Sequence, residues 1–291
     1  MAGNGRQLAA TAGSGGLATF TLVTPSLNQG AFLEETIRSV LAQGYPALQY
    51  IVMDGGSSDE SPGIIARYSR WLTDWQSAPD AGQSDAINRG MAMGTGEICG
   101  WLCSDDVLTP GALLTVGRYF AERPECQWLV GAADFVDLTG AKLDRSQGCL
   151  DSDMALLDYW RWGMPGHAVP QAACFWRRSL WQKVAGLTVG NHLAMDFELW
   201  LKFQELADLH VLDETLAVCK VHSGAKSWRQ RRRLYAARRR CALAAARRRG
   251  VPLAGILWRK SAWALAWRFK SLWGKWEASS LFDGCKRRER R

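Results

Sequence analysis

Histidine is scarce in this 291-residue chain, with four residues at 167, 192, 210 and 222. They do not gather locally, and none of the eight cysteines forms a C-x-x-C pair. A zinc site of clustered ligands is therefore excluded at the sequence level. The same pattern predicts reduced, mostly buried thiols and a reducing compartment. Long apolar runs are missing as well. No stretch reaches the roughly 18–20 uninterrupted apolar residues that a bilayer crossing needs. The Gly-, Ala-, Ser- and Thr-rich residues 1–18 lack a signal-peptide core and read as a flexible leader. No internal repeat is visible. With 47% apolar and 22% charged residues, the balance excludes wholesale disorder.

Negative charge is almost absent from the tail. Residues 225–291 carry 21 basic and 3 acidic side chains, whereas residues 1–224 carry 15 and 25. The net charge of +8 thus conceals an acidic body and a basic extension. Any argument from charge to partners starts at that extension.

What is present is an alternation of short apolar runs and amphipathic stretches. Thr19–Thr24 reads as a buried strand, and Pro25–Gly30 as a turn. Phe32, Leu33, Ile37, Val40 and Leu41 follow at helical spacing. Tyr50–Met53 is a second strand, closed by Asp54-Gly55-Gly56-Ser57-Ser58-Asp59. A helix through Ile64–Leu72, a strand at Trp75–Ala78 and a helix over Gly82–Met93 come next. Ile98–Cys103 is a fourth strand, ending at Ser104-Asp105-Asp106; Thr109-Pro110 opens a helix with proline at its first position, and Trp128–Gly131 closes the series. The alternation predicts a parallel sheet with helices on both faces and a ligand outside the strands' carboxyl ends. Residues 132–224 are less regular, with a strand at Ala172–Trp176, a helix at Asp196–Leu206 and a late strand at Leu216–Val221.

Several constellations sit at the predicted carboxyl edge. Adjacent Asp105 and Asp106 repel each other, which a hard divalent cation relieves; otherwise they form a solvated turn that caps the next helix. Asp54 either accepts a hydrogen bond from a base N–H or closes a Gly-rich turn. The polar start of the helix at Gln83, Ser84 and Asp85 either holds a nucleotide or simply caps itself. Asp196 or Glu198 either takes a proton from an attacking hydroxyl or complements a helix dipole. His222 and Lys226 follow the last strand, where a cation stabilises a leaving diphosphate, or they are solvated loop residues.

Taken in order, Thr24-Pro25-Ser26-Leu27-Asn28-Gln29-Gly30, Asp54–Asp59, Gly82–Asn88, Trp101–Asp106 and Asp196–Leu201 resemble a family 2 glycosyltransferase. The match runs from about residue 19 to 227. It implies an α/β fold of GT-A type, a Rossmann-like, mostly parallel sheet with flanking helices. It also implies a metal-dependent, inverting hexosyl transfer from a nucleotide-diphosphate sugar, UDP favoured. Thr24, Pro25, Asp54 and the Gln83–Asp85 turn would line base and ribose. Asp105 would touch ribose or metal, Asp106 would hold Mg²⁺ or Mn²⁺, and Asp196 would be the general base. The acidic motif is Ser-Asp-Asp rather than D-x-D, and no Q-x-x-R-W element is present, which favours single addition over polymerisation.

The expected organisation is a leader (1–18), a glycosyltransferase domain (19–227) and a basic, Trp-rich helical tail (228–291). Two helical segments in the tail split near Gly250-Val251-Pro252. Trp258, Ala262, Leu265, Phe269, Leu272 and Trp276 make one apolar stripe. Six of the fifteen tryptophans lie in the tail among Arg and Lys, which suits an anionic headgroup layer. The expectation is a cytoplasmic enzyme, peripheral at the inner face of the membrane, with a saccharide or lipid-linked acceptor in cell-surface polysaccharide or glycolipid assembly. The competing arrangement packs the Trp stripe onto the body. Competing functions are nucleic-acid binding through the arginine runs, which is not expected, and nucleotidyl transfer. The latter class usually has a basic residue after the first strand, and Thr24–Gly30 has none.

Overall fold

A computed structural model describes residues 18–164, 167–222, 224 and 229–273. The first half follows the predicted alternation: β1 (Phe20–Ser26), α1 (Gly30–Leu41), β2 (Leu48–Asp54), α2 (Ser61–Tyr68), β3 (Asp74–Ser77), α3 (Gln83–Met93) and β4 (Ile98–Trp101). β1 pairs in parallel with both β2 and β4, and β2 with β3. Ser26, Asp54 and Ser77 fall in one row across this edge. The carboxyl ends of three strands are thereby level, and the polar turns after them share one rim.

The second half departs from a simple parallel sheet. It contains β5 (Asp106–Leu108), α4 (Ala112–Glu122), β6 (Trp128–Val136), β7 (Lys142–Ser146), β8 (Cys149–Leu150), β9 (His167–Ala168), β10 (Cys174–Arg177), α5 (Arg178–Lys183), α6 (Met195–Gln204) and β11 (Leu209–Lys220). The strand order is β3-β2-β1-β4-β10-β6-β11-β5, with β7 on β6. β10 runs antiparallel between β4 and β6, and β5 antiparallel to β11. The sheet is largely parallel with antiparallel insertions. Asp106 thus begins a strand instead of capping a helix. Pro110 precedes the next helix; Gly111, at φ +79°, turns the chain into α4.

Apolar side chains cover both sheet faces, and the alternation along β1 decides which face each residue serves. Phe20 and Leu22 pack with Leu33, Ile37 and Val52 beneath α1 and α2. Val23 points the other way, into a cluster with Ile87, Trp101, Trp176 and Trp200. In that second cluster Trp200 of α6 stacks on Trp101 at 5.9 Å and 5°, and on Trp128 at 5.7 Å and 20°. Truncating a fully buried aromatic of this kind typically costs about 3–5 kcal/mol. Cys99, Cys126 and Cys174 are buried thiols as expected, and Cys103, Cys219 and Cys241 likewise form no disulfide; Cys149 departs from the expectation, being disulfide-bonded.

The basic extension forms α7 (Arg231–Arg248) and α8 (Leu253–Trp273), split where the sequence places the break. α7 crosses α6 and buries Leu234, Ala237, Ala242, Ala245 and Ala246 in the same core as Trp200. Its small alanines let the two helices approach closely. α8 docks through the fully buried Ile256 and through polar contacts. Arg259 donates two bonds to Asp158, at 2.7 and 3.0 Å, and the Lys260 ammonium lies over the rings of Tyr159 and Tyr235. Leu257, Trp258 and Leu265 face outward, at 49%, 71% and 58% exposure. Trp258, Ala262 and Leu265 of the stripe therefore face away from the body, opposite to the packed arrangement. The side chains of Phe269, Leu272 and Trp276 lie outside the described ones.

Candidate active site

The carboxyl ends of β1 and β4 open onto a cavity of about 660 Å³, closed on its far side by α6 and α7. The acidic pair is held there by tertiary contacts. Thr36 of α1, fully buried, donates to the carbonyls of Ser104 and Asp106, at 2.9 and 2.7 Å. Asp106 pairs with Cys219 across the β5–β11 ladder. The Cys219 thiol and the Lys220 amide donate to its carboxylate. Burial, and then the charge of Asp105, push the Asp106 carboxyl well above the ordinary range. The imidazole Nε2 of His222 lies 3.1 Å from Oδ2 of Asp105.

Cys103, Asp105 and Asp106 bring one ligand atom each within 4.8 Å of one another. Two crowded carboxylates suit a hard divalent cation, and their mutual repulsion is what such an ion would relieve. The donor set fits Mg²⁺ or Mn²⁺ held by Asp105 and Asp106.

On the opposite wall, Asp196 opens α6. Among the described residues, its carboxylate accepts one hydrogen bond, from the adjacent Phe197 amide at 2.7 Å. Glu198 is committed elsewhere, accepting from Thr188 at 2.8 Å and Asn191 at 2.6 Å. Of the two candidates, Asp196 alone lines the cavity. Pro25 and Gln83 line it too.

Five of the expected nucleotide contacts lie outside the lining, His222 among them, although its ring meets Asp105. Thr24 is on the same face of β1 as Phe20 and Leu22, so its hydroxyl meets Tyr50 at 3.0 Å in the core. Asp54, 2% exposed, accepts from the Ser57 amide at 3.0 Å and the Ser77 hydroxyl at 2.7 Å. Ser84 is buried against Met195 of α6, 3.0 Å from its sulfur. Asp85 accepts from the Ala81 amide at 3.1 Å and faces Arg89, closing its own helix start. Lys226 lies outside the described residues.

Other lining residues had no signal in the sequence. Lys220 carries a cation beside Asp106 and pairs with Glu35. Asp80 accepts from Gly82 N–H at 2.7 Å; Gly82 has φ +105°, and His192 is packed where a Cβ would stand. Leu234 and Arg238 reach the cavity from α7, inside the presumed tail.

A family model described as glycosyl transferase family 2 matches residues 21–179. The chain is a family 2 glycosyltransferase. An uncharacterised glycosyltransferase of Mycobacterium tuberculosis is 31% identical to it over 187 residues, covering 63% of this chain and 68% of that one. A second, from Nostoc, is 27% identical over 218 residues, covering 69% and 64%. Among solved structures, Staphylococcus aureus TarS 1–349 with UDP-GlcNAc superposes with a TM-score of 0.55 at 17% identity, over 76% of this transferase and 66% of that fragment. The transferase spans 37% of the longer TarS chain. PcManGT of Pyrobaculum calidifontis, in complex with GDP-Man and Mn²⁺, gives 0.55 at 18% identity, over 89% and 88%. These likenesses establish the GT-A fold for this transferase. Its family membership selects glycosyl transfer over nucleotidyl transfer.

Proposed function

We propose that this glycosyltransferase moves a hexosyl group from a nucleoside diphosphate sugar, UDP favoured, to a hydroxyl of a saccharide or lipid-linked acceptor, with inversion at the anomeric carbon. The observation that carries the reading is one cavity lined by Asp105 and Asp106, with His222 hydrogen-bonded to Asp105, and by Asp196 of α6. Relatives in the fold bind such donors, as the UDP-GlcNAc and GDP-Man complexes indicate.

When bound, a divalent cation on Asp105 and Asp106 supplies positive charge against the diphosphate. Lys220 adds a positive group there and His222 a hydrogen-bonding one against Asp105, with Lys226 following in the chain. Asp196 accepts the proton of the acceptor hydroxyl as that oxygen bonds to the anomeric carbon. The bond from that carbon to the diphosphate oxygen breaks on the opposite face, and the nucleoside diphosphate leaves with the electron pair. A single displacement inverts the centre. A thermal-shift panel of UDP, GDP and dTDP sugars with and without Mn²⁺ tests the donor: one base should raise the melting temperature only with metal. Identical curves across the panel would count against the reading.

The second element of the proposal is attachment to an anionic membrane surface through residues 228–291, which would carry the cavity to a membrane-assembled acceptor in polysaccharide or glycolipid assembly. No described helix is long and apolar enough to cross a bilayer. The support is the outward Leu257, Trp258 and Leu265 together with exposed Arg229, Arg231, Arg232, Arg233, Arg239 and Arg240, which no described carboxylate pairs. Exposed tryptophan and arginine suit a headgroup layer. Flotation with phosphatidylglycerol liposomes should recover the wild type, and recovery should fall severalfold for a Trp258→Ser/Leu265→Ser variant and in high salt. Equal recovery with neutral liposomes would contradict it.

A further inference from the structure

The inner face of α7 contains one residue that does not belong in an apolar stripe. Leu234, Ala237, Ala242 and Ala245 are buried there, and Arg238 stands among them. Its neighbours Arg239 and Arg240 are exposed, but Arg238 turns inward and lines the cavity. A guanidinium on such a face is costly unless something compensates it. Burial lowers its pKa, as expected for a desolvated cation.

Protein groups compensate it only partly. The guanidinium lies over the Trp162 ring, 5.4 Å from the centroid. Trp162 in turn stands edge-on to Phe197, at 5.0 Å and 88°, and Phe197 follows Asp196 in α6. The Arg238 Nε is buried and has no hydrogen-bond partner. Among the described residues no carboxylate comes within ion-pair distance of Arg238. Among the described residues the charge that acts on it is that of Asp196, which lines the same cavity. Asp106 answers to Asp105 and Lys220 instead. Lys220 thus acts at the acidic pair, and Arg238 on Asp196.

We infer that Arg238 receives an anionic group, a phosphate or a carboxylate, carried by the acceptor close to its attacking hydroxyl. The inference rests on the donor reading only for the labels of the two walls. A planar guanidinium with a free N–H offers a forked contact that matches either anion. Trp162 fixes the plane of that fork, and its packing on Phe197 ties the fork to the helix that carries Asp196. An acceptor anchored there presents its hydroxyl to Asp196 from the side opposite the diphosphate. The extension that looks like an appendage in the sequence then supplies part of acceptor selection.

The test uses the full chain and three probes that share one sugar ring: glucose, glucuronate and glucose 6-phosphate. Affinities are measured by ligand-observed NMR, with and without saturating UDP and Mn²⁺. At least one anionic probe should bind roughly tenfold or more tightly than glucose, as expected for a charge-assisted hydrogen bond. Which probe wins distinguishes a carboxylate-bearing from a phosphate-bearing acceptor. Arg238→Met, which keeps the stem over Trp162, should bring that ratio close to one while UDP affinity stays within twofold. Arg238→Lys, which keeps the charge without the fork, should cut the ratio severalfold and keeps the test open if the Met variant does not fold. Equal binding of glucose and both anions to the wild type overturns the inference, as does a preference that either variant leaves unchanged. Loss of UDP affinity in Arg238→Met also overturns it, by placing the residue on the donor. A wild type that prefers the anions through Arg238 yet binds no nucleotide sinks the donor reading instead and leaves the anion site standing.

Discussion

Replacing Asp196 by Asn should lower glycosyl transfer by about 10²–10⁴-fold, the range that a positioned general base contributes. The amide keeps the shape of the carboxylate and its bond from the Phe197 amide, so nucleotide affinity should stay within twofold. The measurement is a paired one: calorimetry for UDP and initial rates of nucleoside diphosphate release with acceptor present. Glu198→Gln is the internal comparison. Its carboxylate is spent on Thr188 and Asn191, so its loss should loosen the loop before α6 without a comparable fall in rate. Near-wild-type turnover of Asp196→Asn would remove Asp196 from the proton transfer. Parallel losses in both variants would mean that the helix start, not one carboxylate, matters.

The second large effect is two-sided. Asp106→Asn should weaken Mn²⁺-dependent nucleotide binding by at least about tenfold, since removing even a group behind a metal ligand costs 10–100-fold. The same substitution should raise the melting temperature of metal-free protein at pH 7. The sign follows from linkage. Burial and Asp105 raise the folded-state pKa of Asp106 above its unfolded value. The stability this group contributes is complete below the unfolded pKa, near 4. It is lost as pH rises through the folded pKa, because the folded state must then hold an ionised carboxylate in an unfavourable place. The Asn side chain does not titrate, so the metal-free variant should also show a flatter melting profile between pH 4 and 7. Calorimetry with and without Mn²⁺, plus melting curves across that range, reads both halves. Unchanged metal-linked affinity would take Asp106 out of the cation site, and a lower melting temperature at pH 7 would contradict the assigned strain.

The two experiments probe opposite walls of one cavity, and their separation is a property of the fold. The Trp101–Trp128–Trp176–Trp200 cluster fixes α6 against the sheet. Asp196 lies one turn before Trp200 on that helix, so the packing that anchors the indole also aims the carboxylate. Thr36 and the β5–β11 ladder do the same for the acidic pair. Core substitutions in either support should therefore act on activity as well as stability.

Much of this was legible before any coordinates. Short apolar runs bounded by polar turns gave β1, α1, β2, α2, β3, α3 and β4 in order, because a strand buried on both faces reads as an uninterrupted apolar run. Asp105, Asp106 and Asp196 were visible because carboxylates beside apolar elements are few, and five weak motifs in one order are far more specific than any one of them. The split of the tail near Gly250-Val251-Pro252 followed from Gly and Pro alone.

The rest depended on partners distant in sequence. Thr24 belongs to the first motif but turns to the core face, a distinction set by the period of two in a strand. Asp54 and Ser84 are polar residues whose hydrogen bonds are satisfied by Ser57, Ser77 and Met195, a fact no local pattern encodes. Asp106, read as a cation ligand or else as part of a capping turn, is the first residue of a strand, because its pairing partner lies more than a hundred residues away in β11. Arg238 was one arginine among eleven basic residues between 226 and 249, and only the packing of α7 on α6 turned it inward. The sequence by itself determined which elements form and which charges stand at their ends, since periodicity and turn chemistry are local. The tertiary structure decided which of those charges share a cavity, since burial and charge separation depend on the elements that happen to pack beside them.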